Sequence, residues 1–347
     1  MGRLLLRHLG QTLLGTWLLA SAVFLLSRAG SEQALLSPDL AAPSASVADM
    51  RAARAATRHR LGLDQPLFYI GRTATGGWQW RGRRNQYHHW LRALGRGSLG
   101  TSFRTGEPVT QRLARALAFT LPVTATAAVL VALAALTLAV WLAAAPRWQL
   151  PVRTALLALQ SLPLFIIALA LLLLLANPDV LDWFPADSVA STPDAAAAAA
   201  FSAASLRHLL PRLVLPVAAL VLAALPELTV QLDAALAHEL RQPYILTAKA
   251  KGLPALAVVR RHALRNALLP TLAQLAELLP AMVAGAVVVE VIFALPGMGC
   301  LLAEAAATRD YPVLVGGVLL VGLARLASLL LADLSYSWAD PRIRWQA

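Results

Sequence analysis

Tyr244-Ile-Leu-Thr-Ala-Lys-Ala-Lys-Gly252, followed by Arg260-Arg-His-Ala-Leu-Arg-Asn266 and Pro270, forms a polar, basic, glycine-punctuated loop. Apolar runs at 213–230 and 268–295 flank it, and it holds the only two lysines of the sequence, Lys249 and Lys251. Proline at 243 suits a helix start, because a first-turn residue has no intrahelical acceptor to lose. Gly252 permits a sharp reversal after a short helix. A helix over 244–251 presents Tyr244, Thr247, Ala248 and Lys251 at three- and four-residue spacing. Small residues at 247, 248 and 250 would let it sit deep in a cleft, so the element is built to meet another protein. The plain alternative is an ordinary basic loop placed by the positive-inside rule.

The flanking runs decide the solvent. Mean hydropathy is +0.63, with 58% hydrophobic and only 14% charged residues, well below the roughly 25% charged residues of ordinary soluble domains. Six apolar runs, at about 9–26, 117–145, 154–176, 213–230, 268–295 and 313–331, are long enough to cross about 30 Å of hydrocarbon. The first has a small-x-small site at Ala20-Ser21-Ala22 after a basic start. Its apolar character continues through Val23-Phe24-Leu25-Leu26, which suits a retained span better than a cleaved signal.

Basic residues orient these runs. With the N-terminus inside, the cytoplasmic segments carry 12 lysines and arginines, from Arg3 and Arg7 through Arg260 and Arg261 to Arg342 and Arg344. The two short outer loops carry three, Arg207, Arg212 and Arg309. Both termini are therefore expected in the cytoplasm. The segment from Ser27 to Ala116 carries 14 arginines and would lie outside; loops of that length cross largely regardless of charge.

That segment reads as an insertion after the first span. It holds an Ala/Pro/Ser stretch at 41–46, an arginine-rich amphipathic stretch at 49–59, and a Gly-, Trp- and Arg-rich stretch at 71–86. An alanine run at 195–200 reads as low complexity. The formal charge of +12 finds no zinc-finger spacing, basic heptad helix or aromatic-basic RNA signature, so nucleic acid is not an expected partner. The excess arginine suits headgroups and span ends. The single cysteine, Cys300, excludes an intrachain disulfide and a cysteine-cluster metal site.

Catalytic readings fail on spacing. A Walker A motif needs Gly-Lys-Ser/Thr, whereas Lys249 precedes Ala250 and Lys251 precedes Gly252. His238-Glu239 lacks the second histidine of a zinc protease, since position 242 is Gln. His88-His89 are adjacent and diverge on a helix, so they read as a solvated pair. No nucleophile elbow is present, and neither an enzyme nor a bound cofactor or metal is expected. Ionisable groups inside apolar runs are functional candidates: Glu227, Glu277, Glu290 and Arg325, the last paired with Glu277 or with an acid on a partner. Buried carboxylates would also suit an ion-coupled secondary transporter.

Several blocks, in order, resemble the inner-membrane permeases of ATP-binding-cassette importers, specifically the dipeptide/oligopeptide/nickel branch. They are Leu61-Gly-Leu-Asp-Gln-Pro66, Gly97-Ser-Leu-Gly-Thr-Ser-Phe103, Thr247-Ala248-x-x-x-Gly252 and His262 to Pro270. Glu290-Val-Ile-Phe-Ala-Leu-Pro-Gly-Met-Gly299, Arg309-Asp-Tyr-Pro312 and Asp340-Pro-Arg-Ile-Arg344 complete the set. Two departures stand out: Pro243 where the branch carries an acid, and Leu246 where the wider motif has its first Glu.

The resemblance implies an all-α membrane protein, with six transmembrane helices in the type I, MetI-like permease fold and a long extracytoplasmic loop after the first. Residues 1–26 would be the N-terminus and first span, 27–116 that loop, and 117–347 the core domain with the coupling loop at about 233–267. Tyr244, Thr247, Ala248, Lys251, Gly252 and His262 would contact an ATPase; Glu290, Phe293, Pro296, Gly297 and Gly299 would shape a gate or pathway. The implied partners are a second homologous permease, two ATP-binding-cassette ATPase subunits that bind and hydrolyse the ATP, an extracytoplasmic solute-binding protein and membrane lipid. The implied location is the bacterial inner membrane.

Overall fold

The structure, a computed structural model, describes residues 10–11, 13–25, 28, 55, 64–72, 77–185 and 203–339. Outside them lie Arg3, Arg7, Arg342, Arg344, the block from Asp340, residues 61–63, the stretches at 41–46 and 195–200, and all of 49–59 but residue 55. The described elements run α1 (Leu13–Leu25), β1 (Ile70–Arg72), β2 (Trp78–Trp80), α2 (Gln86–Gly95), α3 (Val109–Ala144), α4 (Pro146–Gln160) and α5 (Leu164–Leu175). They continue with α6 (Ala203–Glu239), α7 (Pro243–Ala250), α8 (Ala255–Val258), a π-helical turn (Val259–Ala263), α9 (Leu264–Ile292), α10 (Met298–Ala307) and α11 (Tyr311–Ala339). The chain divides into two compact units, one built on Arg115–Leu301 and the other on Thr12–Ala114 with Leu302–Leu323.

In the first unit α3 carries a buried stripe, Val123, Ala127, Val131, Ala135 and Ala139. A four-residue step follows the ridge that runs closest to the helix axis, and small residues there let backbones approach closely. Val123 and Ala127 pack with Ala219, Leu220, Met282 and Val289. Val131 and Ala135 pack with Leu228, and Ala139 packs with Leu232, Leu236 and Ile245.

Among the described residues, two helices are long and apolar enough to cross a bilayer: Val109–Ala144 and the Leu210–Glu239 part of α6. Helices α4 and α5 make a third only if their 97° bend lies within one span. The expected run at 154–176 is broken there because Pro163 brings no N–H and bars the helical conformation to Leu162. Shorter apolar helices are Leu13–Leu25, Pro280–Ile292, Met298–Ala307 and Tyr311–Arg325. Glu227, Glu277 and Arg325 are exposed, and among the described residues no ion pair joins Glu277 to Arg325. The expected intrachain pair is thus replaced by separate groups on the chain surface.

In the second unit β1 and β2 form an antiparallel hairpin, with Ile70 opposite Trp80 and Arg72 opposite Trp78. Asn85 then caps α2, its side-chain oxygen accepting the His88 N–H at 2.7 Å. Tyr87 of α2 packs with Ala20 and Phe24 of α1 and with Val315 and Leu319 of α11. The Ser21 and Tyr87 hydroxyls meet at 2.8 Å. His88 Nδ1 meets the Tyr69 hydroxyl at 2.9 Å while His89 is exposed, so the two imidazoles do diverge.

Two separate sequence blocks meet in this unit. Asp310, 2% exposed, accepts the Ser102 hydroxyl, the Phe103 N–H at 3.0 Å and Arg112 Nη1 at 3.2 Å. Arg112 also donates to Ser102 Oγ at 3.1 Å and reaches Glu304 at 3.8 Å. A buried carboxylate requires such a set of donors. The turn Ser102-Phe103 and the Asp310-Tyr311 start of α11 therefore hold each other. Asp310→Ala is expected to strand the Arg112 charge and lower stability by about 3 kcal/mol, whereas Asp310→Asn keeps most acceptors and costs less; thermal unfolding of the purified protein checks the order.

Candidate functional site

The polar loop folds as expected at its ends. Gln242 is extended, Pro243 occupies the first turn of α7, and Gly252 takes a left-handed φ of +73° while donating to Lys249 O at 2.9 Å. An eight-residue helix is marginal alone in water, so α7 depends on what it packs against. Ile245 (0% exposed) and Ala248 (4%) sink into a cluster of Leu232, Leu236, Val258, Val259, Ala263 and Ala267. Ala248, expected on the presented face, is therefore a foundation residue; its small side chain is what lets α7 lie close.

The outer face consists of Leu246 (66% exposed) with Thr247, Lys249, Ala250, Lys251 and Gly252. Tyr244 sits at the edge. Its hydroxyl donates to Glu239 Oε2 at 2.5 Å and accepts from Asn266 Nδ2 at 3.1 Å, bridging the end of α6 to the start of α9. Desolvation raises its pKa, as does the hydrogen bond to Glu239, so the phenol stays a donor at neutral pH. The π-helical turn packs against α7; it buries Val259 and Ala263 and exposes Arg260, Arg261 and His262. His262 thus joins the same basic surface.

Asp233 lies on the stretch of α6 that leads to this surface. Its side chain is buried, and Arg153 Nε of α4 donates to Oδ2 at 2.6 Å. By sequence Arg153 reads only as one of the twelve basic residues of the cytoplasmic segments. Two lone charges on neighbouring apolar segments were the available signal, but nothing in a single sequence pairs them.

The residues expected to shape a gate lie at the other end of α9. Glu290, 2% exposed, accepts the Thr120 hydroxyl at 2.5 Å and the Gly299 N–H at 2.6 Å, with the Cys300 N–H at 3.4 Å. Thr120 Oγ1 in turn accepts the Met298 N–H at 2.8 Å. The carboxylate and hydroxyl together satisfy the unpaired N–H groups that open α10 and sit at the positive end of its dipole. This explains the motif: a Cβ at Gly297 would lie 2.2 Å from the Glu290 carboxyl carbon, and one at Gly299 would lie 2.2 Å from Val287 Cα.

Phe293, half-buried, packs on Leu295 with Phe119 and Leu213. Pro296 follows Leu295 in the tight link from Phe293 to Met298, where Ala294 takes a φ of +48°. The geometry makes this group a latch that shapes the chain between two helices. Thr120 was missed from sequence, where it is one hydroxyl at the head of an apolar run.

Long apolar helices, with an exposed two-turn basic helix rooted in their core, fit a transport permease. Residues 135–345 match the family described as binding-protein-dependent transport system inner membrane component, and the chain belongs to that family. It is 33% identical over 311 residues to a di/tripeptide transport system permease protein of Pseudomonas aeruginosa, covering 83% of this chain and 84% of that one. It is 32% identical over 300 residues to a probable D,D-dipeptide transport system permease protein of Escherichia coli, covering 82% and 83%. A dipeptide transport system permease protein of Bacillus subtilis matches at 40% over 132 residues, 38% of this chain and 43% of that protein. The chain is thus an inner-membrane permease of an ATP-binding-cassette importer.

Two glycines make a contrasting test. Gly299→Ala must displace the α9 backbone at Val287 and is expected to reduce the yield of monodisperse protein sharply. Gly252→Ala meets nothing within 4 Å and is expected to cost only about 1 kcal/mol of backbone strain. Size-exclusion profiles of the two variants check this.

Proposed function

We propose that this chain is the transmembrane permease subunit of an importer for peptides or similar small solutes, nickel chelates included. The relatives' names support the solute class. Helices α1, α3, the α4–α5 pair, α6, α9 and α11 supply six spans, with 27–116 outside, 117–347 as the core and both termini in the cytoplasm. The path runs between this chain and a second homologous permease. Two ATPase subunits on the cytoplasmic face bind and hydrolyse the ATP, and a solute-binding protein delivers solute from outside.

The observation that carries this reading is α7, whose outer face is open while Ile245 and Ala248 are locked in the core. A helix presented so can take a push from a partner and pass it to α6 and α9 without sliding. Closure of the ATPase pair would then tilt the spans as rigid bodies, switching the path between inward- and outward-facing. Lys249, Lys251, Arg260, Arg261 and His262 border the contact, and Tyr244 holds α6 and α9 at a fixed separation beneath it.

Gly252→Asp tests the assignment. Aspartate tolerates left-handed backbone better than most residues and meets no atom within 4 Å of its Cβ, so insertion should remain intact. Its charge and bulk fall on the presented rim, and the expected result is ATPase activity uncoupled from uptake in the reconstituted complex. Uptake at the unaltered rate would sink the coupling role; uptake without any ATPase that collapses with an uncoupler would favour the ion-coupled alternative.

A further inference from the structure

The hairpin of β1 and β2 is not explained by transport through a pathway or by the contact with an ATPase. Trp78 and Trp80, 74% and 67% exposed, are two residues apart on β2 and so share one face. Exposed tryptophan is costly in water and is enriched where one side of a ring meets hydrocarbon and the other meets headgroups. Immediately after them come Arg81, Arg83 and Arg84, all exposed. Residues 65–106 contain seven arginines and no Asp or Glu.

The height of this hairpin is fixed by a chain of aromatic contacts from the first apolar helix. Phe24, next to the Leu25 end of α1, stacks on Trp90 at 4.8 Å. Trp90 meets Tyr87 at 5.5 Å, Tyr87 meets Phe68 at 5.1 Å, Phe68 meets Tyr69 at 5.3 Å, and Tyr69 stacks on Trp80 at 5.6 Å. Helix α1 itself presents exposed Leu13, Leu14, Trp17, Leu18 and Leu19, a face suited to lipid. Five ring contacts thus tie Trp80, opposite Ile70 at the open end of the hairpin, to the Leu25 end of a helix whose exposed face suits lipid. Arg28 lies at the same end, over the Phe24 ring at 5.5 Å and the Phe103 ring at 5.6 Å.

We propose that the β1–β2 hairpin is a membrane-surface anchor that binds anionic phospholipid: Trp78 and Trp80 enter the interface and Arg81, Arg83 and Arg84 take the phosphates. The occupant follows from charge, since a basic stretch free of carboxylates complements an anionic surface, and from height, since the ladder begins at a span end. The inference rests on the reading of α1 as a span, and it holds for whichever leaflet meets Leu25. An arginine at an anionic lipid surface contributes about fivefold in binding, so three together act as a selective contact.

The test uses the full importer complex in nanodiscs of phosphatidylcholine alone or with phosphatidylglycerol mixed in, following amide hydrogen exchange of residues 77–85. Exchange is expected to slow by about fivefold or more when the anionic lipid is present, and Arg81→Gln/Arg83→Gln/Arg84→Gln should abolish that difference while leaving exchange of the α9 core unchanged. Equal exchange in both lipids would overturn the proposal. So would slowing that requires the solute-binding protein, which would make the hairpin a protein-docking surface, or slowing produced by free inorganic phosphate without anionic lipid. Solute-stimulated ATPase activity in the same nanodiscs reports separately on the importer reading.

Discussion

A carboxylate sealed among apolar side chains sets the terms for this protein. Glu290 cannot be left without donors at such depth, and the donors it uses are the first N–H groups of α10 and the hydroxyl of Thr120. Meeting that demand fixes where α9 stops, how the chain turns through Phe293 to Gly297, and how α3 lies beside the turn. It also forbids a side chain at Gly297, where a Cβ would meet the carboxyl group, while the Val287 backbone forbids one at Gly299. One buried carboxyl group thus accounts for much of the ten-residue motif from Glu290 to Gly299.

The same logic recurs twice. Asp310 gathers Ser102, the Phe103 amide and Arg112, and Asp233 takes Arg153. Each pairs segments far apart in sequence through a side chain that would be expensive to bury alone. In a chain with so few charged residues, such contacts give register to helices whose apolar faces would otherwise pack in several ways. Breaking one partner leaves the other stranded, so these positions tolerate isosteres better than truncations.

Much of the fold could be read from sequence because apolar length and turn chemistry are local. The helix after Pro243, its end at Gly252, the exposure of Thr247 and Lys251 and the divergence of His88 and His89 needed only neighbours in the chain. What could not be read depends on side chains meeting across it. Ala248 faces inward because the core beneath α7 approaches from that side. Arg325 and Glu277 lie apart because depth in a helix does not give direction around it. The apolar run at 154–176 turns through 97°, since hydropathy averages over the proline that interrupts it. Glu290 stands out as an ionisable group in an apolar run, yet its partner Thr120 lies 170 residues away.

Helix α3, like α9, runs between two sites. Thr120, near its beginning, holds Glu290; Ala139, further along, packs in the cluster that seats Ile245 of α7. The 19 residue steps from one to the other rise about 28 Å at 1.5 Å each, close to the thickness of the hydrocarbon layer. No loop intervenes, and beyond Pro122, which lies two residues past Thr120, one uninterrupted stretch of helix spans the distance from the latch to the seat of α7.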